Sequence, residues 1–218
     1  MPQNKYYRTM KKTGILLVVL IISASAMAQQ GSWYVGGQFG FGSQKSTNFN
    51  NNRISKITVA NISPEVGMFI TDDITVGVAV NFSSEKDNND IADTDYDKLV
   101  LTSPVIYARK FWSIEDIFSA FVGLDFNFST GNYKENRNDV LTTLDKVSGF
   151  GVNLNVGIAY PLGERFTAVG KYGLVGYSST TLKDDAGTKQ RTDSEFGFNV
   201  NTLGSLFNIG LYYTFLKK

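Results

Sequence analysis

Cysteine and histidine are both absent from the 218 residues of this chain. Without cysteine there is no disulfide framework and no cysteine for lipid attachment after an export signal. Without histidine, the usual general base, the common Ser-His and Cys-His nucleophile pairs and the commonest metal ligand are missing. We therefore expect no enzyme, no cofactor and no metal site, because catalysis would depend on carboxylate, lysine or tyrosine side chains alone.

The first 28 residues have the pattern of an export signal peptide. Lys11 and Lys12 precede an apolar run, 14–22, which is too short to cross a bilayer as a helix. Small residues follow it up to Ala28, and we predict cleavage before Gln29. An uncleaved membrane anchor is the alternative, which the short apolar core disfavours. Met10 directly precedes the lysines and is a candidate for the true start.

The predicted mature chain is slightly acidic. Removing 28 residues from 218 leaves 190, and removing the four basic residues of the leader from 21 leaves 17 against 20 acids, a net charge of −3. Nucleic-acid-binding domains normally carry a clear excess of basic residues. We therefore expect no nucleic-acid partner.

After the leader, apolar residues alternate with small or polar ones, which is the period of a β-strand with one apolar face. The regular runs are 33–41, 74–83, 119–129, 149–160 and 207–215. Three less regular runs, 54–70, 98–110 and 166–177, bring the count to eight, and bacterial single-chain membrane barrels have even strand numbers. The alternation changes parity within 196–206, so we predict a bulge or break near 202–205.

The connections alternate in length. The short ones lie at 71–73, 113–116 and 162–164, and the long polar ones lie at 43–53, 84–97, 130–146 and 179–194. This alternation is typical of outer-membrane barrels, in which short turns face the periplasm and long loops face outside.

The rival fold is a soluble β-sandwich or lipocalin-like barrel, whose apolar face points inward. Here the other face is rich in Gly, Ala, Ser and Asn, which is too small and polar a set for a soluble core, and aromatic residues mark the ends of the apolar face. We predict an all-β fold after the signal peptide: an eight-stranded antiparallel transmembrane β-barrel in the outer membrane of a Gram-negative bacterium.

Three segments carry a resemblance to a known family. The segment 62–82 (ISPEVGMFITDDITVGVAVNF) resembles the second hairpin of small outer-membrane β-barrel proteins of the Bacteroidetes type, also called porin-family or outer-membrane-protein β-barrel-domain proteins. Residues 172–178 (YGLVGYS) are similar to the seventh strand of that family, and 208–215 (NIGLYYTF) to its closing strand. The resemblance implies one barrel domain over 29–218. One departure is that Leu216, Lys217 and Lys218 follow the final aromatic residue, on which family members commonly end.

Alternation assigns four charged residues to the interior of the barrel: Glu65, Arg109, Asp125 and Lys171. One interpretation is a gate or an ion path. The other is a network of salt bridges and hydrogen bonds that plugs the lumen. The interior of an eight-stranded barrel is just wide enough for side chains to fill, so we favour the plug.

Two of the long connections are candidates for binding. The connection from Glu85 to Asp97 contains Asp93, Asp95 and Asp97 in a D-x-D-x-D pattern that could attract calcium. It lacks the glycine and the distant glutamate of an EF-hand, so we favour a solvated acidic loop. The Asn-rich connection 43–53 is a candidate for adhesion or for simple surface decoration.

These patterns favour a non-enzymatic outer-membrane barrel with a structural or surface-interaction role. The alternative is a narrow passive channel for ions or small solutes, and a lipid- or peptide-processing barrel enzyme comes third. The expected partners are outer-membrane lipid, the barrel-assembly machinery during insertion and surface proteins that contact the loops. We expect a monomer.

Overall fold

The computed structural model describes residues 30–48, 53–88, 95–114, 117–184, 186–198 and 207–216. The predicted signal peptide, residues 49–52 of the Asn-rich connection, Asp93, the predicted break at 202–205 and the two terminal lysines lie outside these ranges. No helix in the described part of the chain is long and apolar enough to cross a membrane.

The described residues form nine antiparallel β-strands. Their bounds are β1 Trp33–Asn48, β2 Arg53–Phe69, β3 Ile74–Asn88, β4 Tyr96–Ile114, β5 Phe118–Arg137, β6 Val140–Pro161, β7 Phe166–Lys183, β8 Lys189–Phe198 and β9 Asn208–Phe215. Each strand from β1 to β7 pairs with the next, and β9 pairs with both β7 and β1. The sheet therefore closes into a ring, and the predicted all-β antiparallel barrel is confirmed.

Two strands share the eighth position of the ring. β9 pairs with Phe166–Lys171 of β7, and β8 pairs with Val175–Lys183 of the same strand. Phe198 lies opposite Val175 and Asn208 lies opposite Lys171, so four steps along β7 face ten steps along the other chain segment. Phe198 is exposed and Asn208 is buried although an even number of residues separates them, which is the change of parity that the sequence shows between Phe196 and Phe207.

The short connections lie near their predicted places, at 70–73, between Ile114 and Phe118, and at 162–165, and we call that end of the barrel the turn end. At the opposite end, which we call the hairpin end, the described parts of the four long connections differ from prediction, because they mostly continue the flanking β-strands instead of forming irregular loops. At the hairpin end, β5 continues to Arg137 and β6 starts at Val140. Asn138 and Asp139 join them with φ of 50° and 62°, the conformation of a tight two-residue hairpin turn. Pairing satisfies the backbone hydrogen bonds of these polar segments, and their Thr, Val and Tyr residues suit strands.

The outer surface of the barrel is apolar. Phe39, Phe41 and Phe128 are exposed by 57%, 68% and 61%, and they share this surface with many other large apolar side chains. A soluble monomer rarely exposes a continuous apolar surface of this kind, whereas a lipid-facing barrel requires one. The buried side chains of the strands point into the lumen of the ring.

Candidate functional site

The lumen near the turn end is filled by aromatic side chains. Tyr34, Tyr107, Phe121 and Tyr212 are at most 5% exposed, and Phe69 and Phe111 pack against them. The rings contact one another in series, with centroids 5.6 Å apart for Tyr34–Tyr212 and 5.2 Å for Phe111–Phe121. The Tyr34 and Tyr107 hydroxyls lie 2.9 Å apart, so the polar ends of these phenols are hydrogen-bonded. We call these six residues the aromatic layer.

Glycines on neighbouring strands make room for the buried rings of this layer. Tyr34 is directly opposite Gly67, and Tyr107 is directly opposite Gly77. The same pairing joins Phe121 to Gly157 and Tyr212 to Gly36. At each of these glycines a Cβ atom would overlap the ring of the opposite residue. The aromatic layer and its four glycines are therefore one packing arrangement.

Glu65 and Arg109 lie on top of the aromatic layer. Arg109 donates from Nη1 to Glu65 Oε1 at 2.6 Å and from Nη2 to Oε2 at 3.0 Å, a bidentate ion pair with side chains at most 3% exposed. The Arg109 guanidinium carbon lies 4.0 Å from the centroid of the Tyr107 ring. Gln38 Nε2 donates to Glu65 Oε2 at 3.1 Å and also to the Tyr212 hydroxyl. The pair is thus held by hydrogen bonds and by ring contacts together.

The second pair of predicted interior charges is closer to the hairpin end. Lys171 Nζ donates to Asp125 Oδ2 at 3.0 Å, and both side chains are less than 16% exposed. The structure therefore places all four predicted residues inside the barrel, in two separate ion pairs. Each pair joins an acid and a base from different strands, so each ties distant parts of the ring together.

A polar cavity lies between the two pairs and the hairpin end. It contains about 550 Å³ of space not filled by atoms, part of it open to solvent. Both ion pairs border it, and the amides that line it are Gln38, Asn81, Asn127, Asn153, Asn155 and Asn208. Amide side chains can hydrogen-bond either to water or to a polar solute. The cavity ends at the Glu65–Arg109 pair, beyond which the aromatic layer fills the lumen.

Two acidic residues of the candidate calcium loop, Asp95 and Asp97, have partners within the protein. Asp87 and Asp97 are opposite each other, and Glu135 is opposite Asp97 on the next strand. Arg137 Nη2 contacts Asp97 at 3.2 Å and also contacts Glu135. Among the described residues no group of three acids is placed to hold a metal ion, and Asp90 and Asp93 lie outside them. Burial, with Asp97 nearby, raises the pKa of Tyr133 to about 12.

The aromatic layer is the feature that alternation alone did not reveal. Tyr34 and Phe121 are in phase with the small and polar residues, and this pattern indicates only an inner face that is too small and polar for a soluble core. Glycine at the inward positions of neighbouring strands was the available signal. It becomes useful only once the register shows which glycine is opposite which ring.

The family model of the outer membrane protein beta-barrel domain matches residues 14–215. The chain belongs to this family. It is accordingly an outer-membrane protein, and the predicted localisation is confirmed. By the usual orientation of such barrels, the turn end faces the periplasm and the hairpin end faces outside.

Solved structures of outer-membrane proteins are similar to most of the chain, and the first of them supports the fold. The outer membrane protein OprG from Pseudomonas aeruginosa is similar with a TM-score of 0.52 and 13% identity, over 87% of this chain and 98% of that chain. Neisserial surface protein A matches with a TM-score of 0.43 and 16% identity, over 85% and 98%. A major outer membrane protein from Thermus thermophilus matches with a TM-score of 0.38 and 15% identity, over 85% and 99%. No curated protein matches the sequence.

Proposed function

We propose that this chain is a non-conducting, non-enzymatic outer-membrane barrel with a structural and surface-interaction role. The observation that carries the proposal is the aromatic layer with the Glu65–Arg109 pair above it. An ion crossing the barrel would have to displace packed rings and break a buried bidentate pair. Both changes are costly, because a buried charge that loses its partner is strongly destabilising.

The outer hairpins support the surface-interaction role. Val140 and Leu141, beside the tight turn of the β5–β6 hairpin, are 64% and 51% exposed. Among the described residues, β8 pairs with β7 alone, and β1 beyond Gly40 pairs with β2 alone. Exposed apolar tips and unpaired strand edges are the features that partner proteins bind. The proposal retains the resemblance to the Bacteroidetes-type barrels, a monomeric state and insertion by the barrel-assembly machinery.

The second candidate is a narrow passive channel, which the polar cavity favours. The two candidates differ in what the aromatic layer does. In a channel it would have to open, whereas in the proposed role it stays closed.

Ion flux through lipid vesicles tests the proposal. We expect purified folded protein to leave the flux of protein-free vesicles unchanged. The triple variant Tyr34→Ala, Tyr107→Ala, Tyr212→Ala should raise the flux, because it removes the rings that fill the lumen. Phe126→Ala, which truncates an outward-facing side chain, is the matched control and should leave the ion flux unchanged. Flux through the unmodified protein equal to that of the triple variant would contradict the proposal, and turnover of lipid A or of a peptide would contradict the non-enzymatic part.

A further inference from the structure

Every strand from β1 to β8 carries one lysine toward its outer end. These lysines, which we call the lysine girdle, are Lys45, Lys56, Lys86, Lys98, Lys134, Lys146, Lys183 and Lys189. On several strands this lysine lies beyond an exposed aromatic residue, and we call these aromatic residues, Phe41, Phe82, Phe128 and Phe150, the outer aromatic row.

Six of the lysine side chains face away from the lumen because side chains alternate along a strand and each has the parity of exposed residues on its own strand. Lys86, for example, is four residues beyond the exposed Phe82, and Lys45 is four beyond the exposed Phe41. Lys183 and Lys189 lie beyond irregularities in the pairing of β7 and face the same way because Lys183 is opposite Lys146 and Lys189 is opposite Lys183.

The acidic residues of the same segments face the opposite way. Each described acid on the outer strand segments has the parity of the lumen-facing residues: Glu85, Asp87, Asp97, Glu135, Asp145, Asp193 and Glu195. Described outward positions between the lysines hold Thr, Ser, Asn and a few apolar residues instead. The outer end of the barrel is therefore basic on its membrane-facing side and acidic inside.

The register sets the lysines directly beside one another. Lys45 is opposite Lys56, Lys98 lies between Lys86 and Lys134, and Lys183 lies between Lys146 and Lys189. Like charges directly opposite each other on a sheet are destabilising. None of the girdle lysines forms an ion pair with the described residues, although Lys86 lies 3.7 Å from the ring centroid of Tyr96. An anion from outside the chain would reduce the repulsion between these adjacent lysines.

The position of the girdle identifies the kind of anion. Four residues of a strand tilted by about 40° rise by about 10 Å, so the lysines start just beyond the outer aromatic row that marks the edge of the hydrocarbon. Their flexible stems reach back toward the interface while the charged ends stay in a polar environment. Phosphate groups of lipids in the outer leaflet occupy that level.

We propose that the lysine girdle binds the phosphate groups of anionic lipid in the outer leaflet around the barrel. The proposal concerns the outward surface alone, so it stands or falls independently of whether the lumen conducts. Adjacent lysines from neighbouring strands would share one phosphate, which removes their mutual repulsion. Each bound lipid would then hold two or three strands in register at the outer end.

The test measures how phosphorylated lipid A protects the folded full-length mature protein in neutral detergent against heat, by the mobility shift of the folded band. We expect lipid A to raise the midpoint of unfolding, and dephosphorylated lipid A or inorganic phosphate to leave it unchanged. The variant Lys86→Gln, Lys98→Gln, Lys134→Gln should raise the half-saturating lipid concentration by at least about tenfold, because each lysine at a membrane surface contributes to anion binding. The corresponding Lys→Arg variant should retain the effect.

Lys110→Gln is the matched control, since it removes an outward lysine at the turn end and should bind lipid A like the unmodified protein. If the triple Gln variant fails to fold, the salt dependence of the unmodified protein decides, because the shift must shrink as salt screens the charges. Full protection of the Gln variant, an equal shift with dephosphorylated lipid or inorganic phosphate, or a shift that salt does not reduce would each overturn the proposal.

Discussion

At the scale of single residues, the buried Glu65–Arg109 pair is the strongest constraint on the lumen. We expect Glu65→Ala to lower the free energy of unfolding by about 3–5 kcal/mol, because it leaves the buried Arg109 guanidinium without its partner. Arg109→Ala should cost a similar amount, and the double variant should cost clearly less than the sum. Urea unfolding in lipid vesicles measures all three. Additive losses would show that the two side chains do not act as a pair.

The glycines opposite the aromatic rings make a second prediction at this scale. Gly77→Ala should destabilise the barrel by about 1–3 kcal/mol, because the new Cβ atom must displace the Tyr107 ring. Gly163 has no heavy atom within 4 Å of the added Cβ position, and Gly163→Ala is the matched control. Equal unfolding midpoints for the two variants would show that the Tyr107–Gly77 contact is not tight.

The sequence was sufficient to predict the interior charged residues, but it did not predict the aromatic layer. Glu65, Arg109, Asp125 and Lys171 could be assigned to the interior because a charge in an alternating strand cannot face lipid. Tyr34 and Phe121 could not, because an aromatic residue is compatible with either face. The pairing of acids with bases also needed the register, which brings residues from distant strands together.

At the scale of elements, the turn between β2 and β3 is fastened to β4. Asp73 accepts hydrogen bonds from Lys110 Nζ and from Thr71 Oγ1, and its backbone oxygen accepts from the Phe111 amide at 2.7 Å. The hydrogen bond from Lys110 is the main cause that lowers the pKa of the Asp73 carboxyl below its usual value.

This lowered pKa makes a prediction with a definite sign. The folded state favours the Asp73 carboxylate, so its contribution to stability is fully present above the unfolded pKa of about 4 and is lost as the pH falls through the lower folded value. A carboxyl titration by NMR should show the lowered pKa, and Lys110→Gln should return it toward the ordinary value. An unchanged pKa in that variant would contradict the assigned cause.

The alternation of apolar and polar residues predicts the strands only where they cross the membrane. Alternation located the transmembrane parts of the strands because lipid imposes an apolar face on them. Beyond the membrane no apolar face is required, so alternation does not predict that polar segments such as 130–146 form strands. The sequence shows a change of parity between Phe196 and Phe207. It does not show that β8 and β9 share one position of the ring.

At the scale of the whole molecule, the barrel is layered along its axis. An aromatic layer fills the lumen at the turn end, a buried ion pair covers it, a polar cavity follows, and the hairpin end carries acids inside and lysines outside. The apolar outer surface fixes the depth of the barrel in the membrane. The closed lumen and the elaborated outer end together favour a protein that acts at the cell surface instead of one that transports solutes.

Single-channel recording in a planar bilayer tests this account most directly. The purified protein, shown to be folded by the change in gel mobility on boiling, is added at increasing amounts while current is measured. We expect no stable conductance steps, because the aromatic layer and the Glu65–Arg109 pair close the lumen. Reproducible steps of uniform size from the unmodified protein, scaling in number with the protein added, would contradict the account.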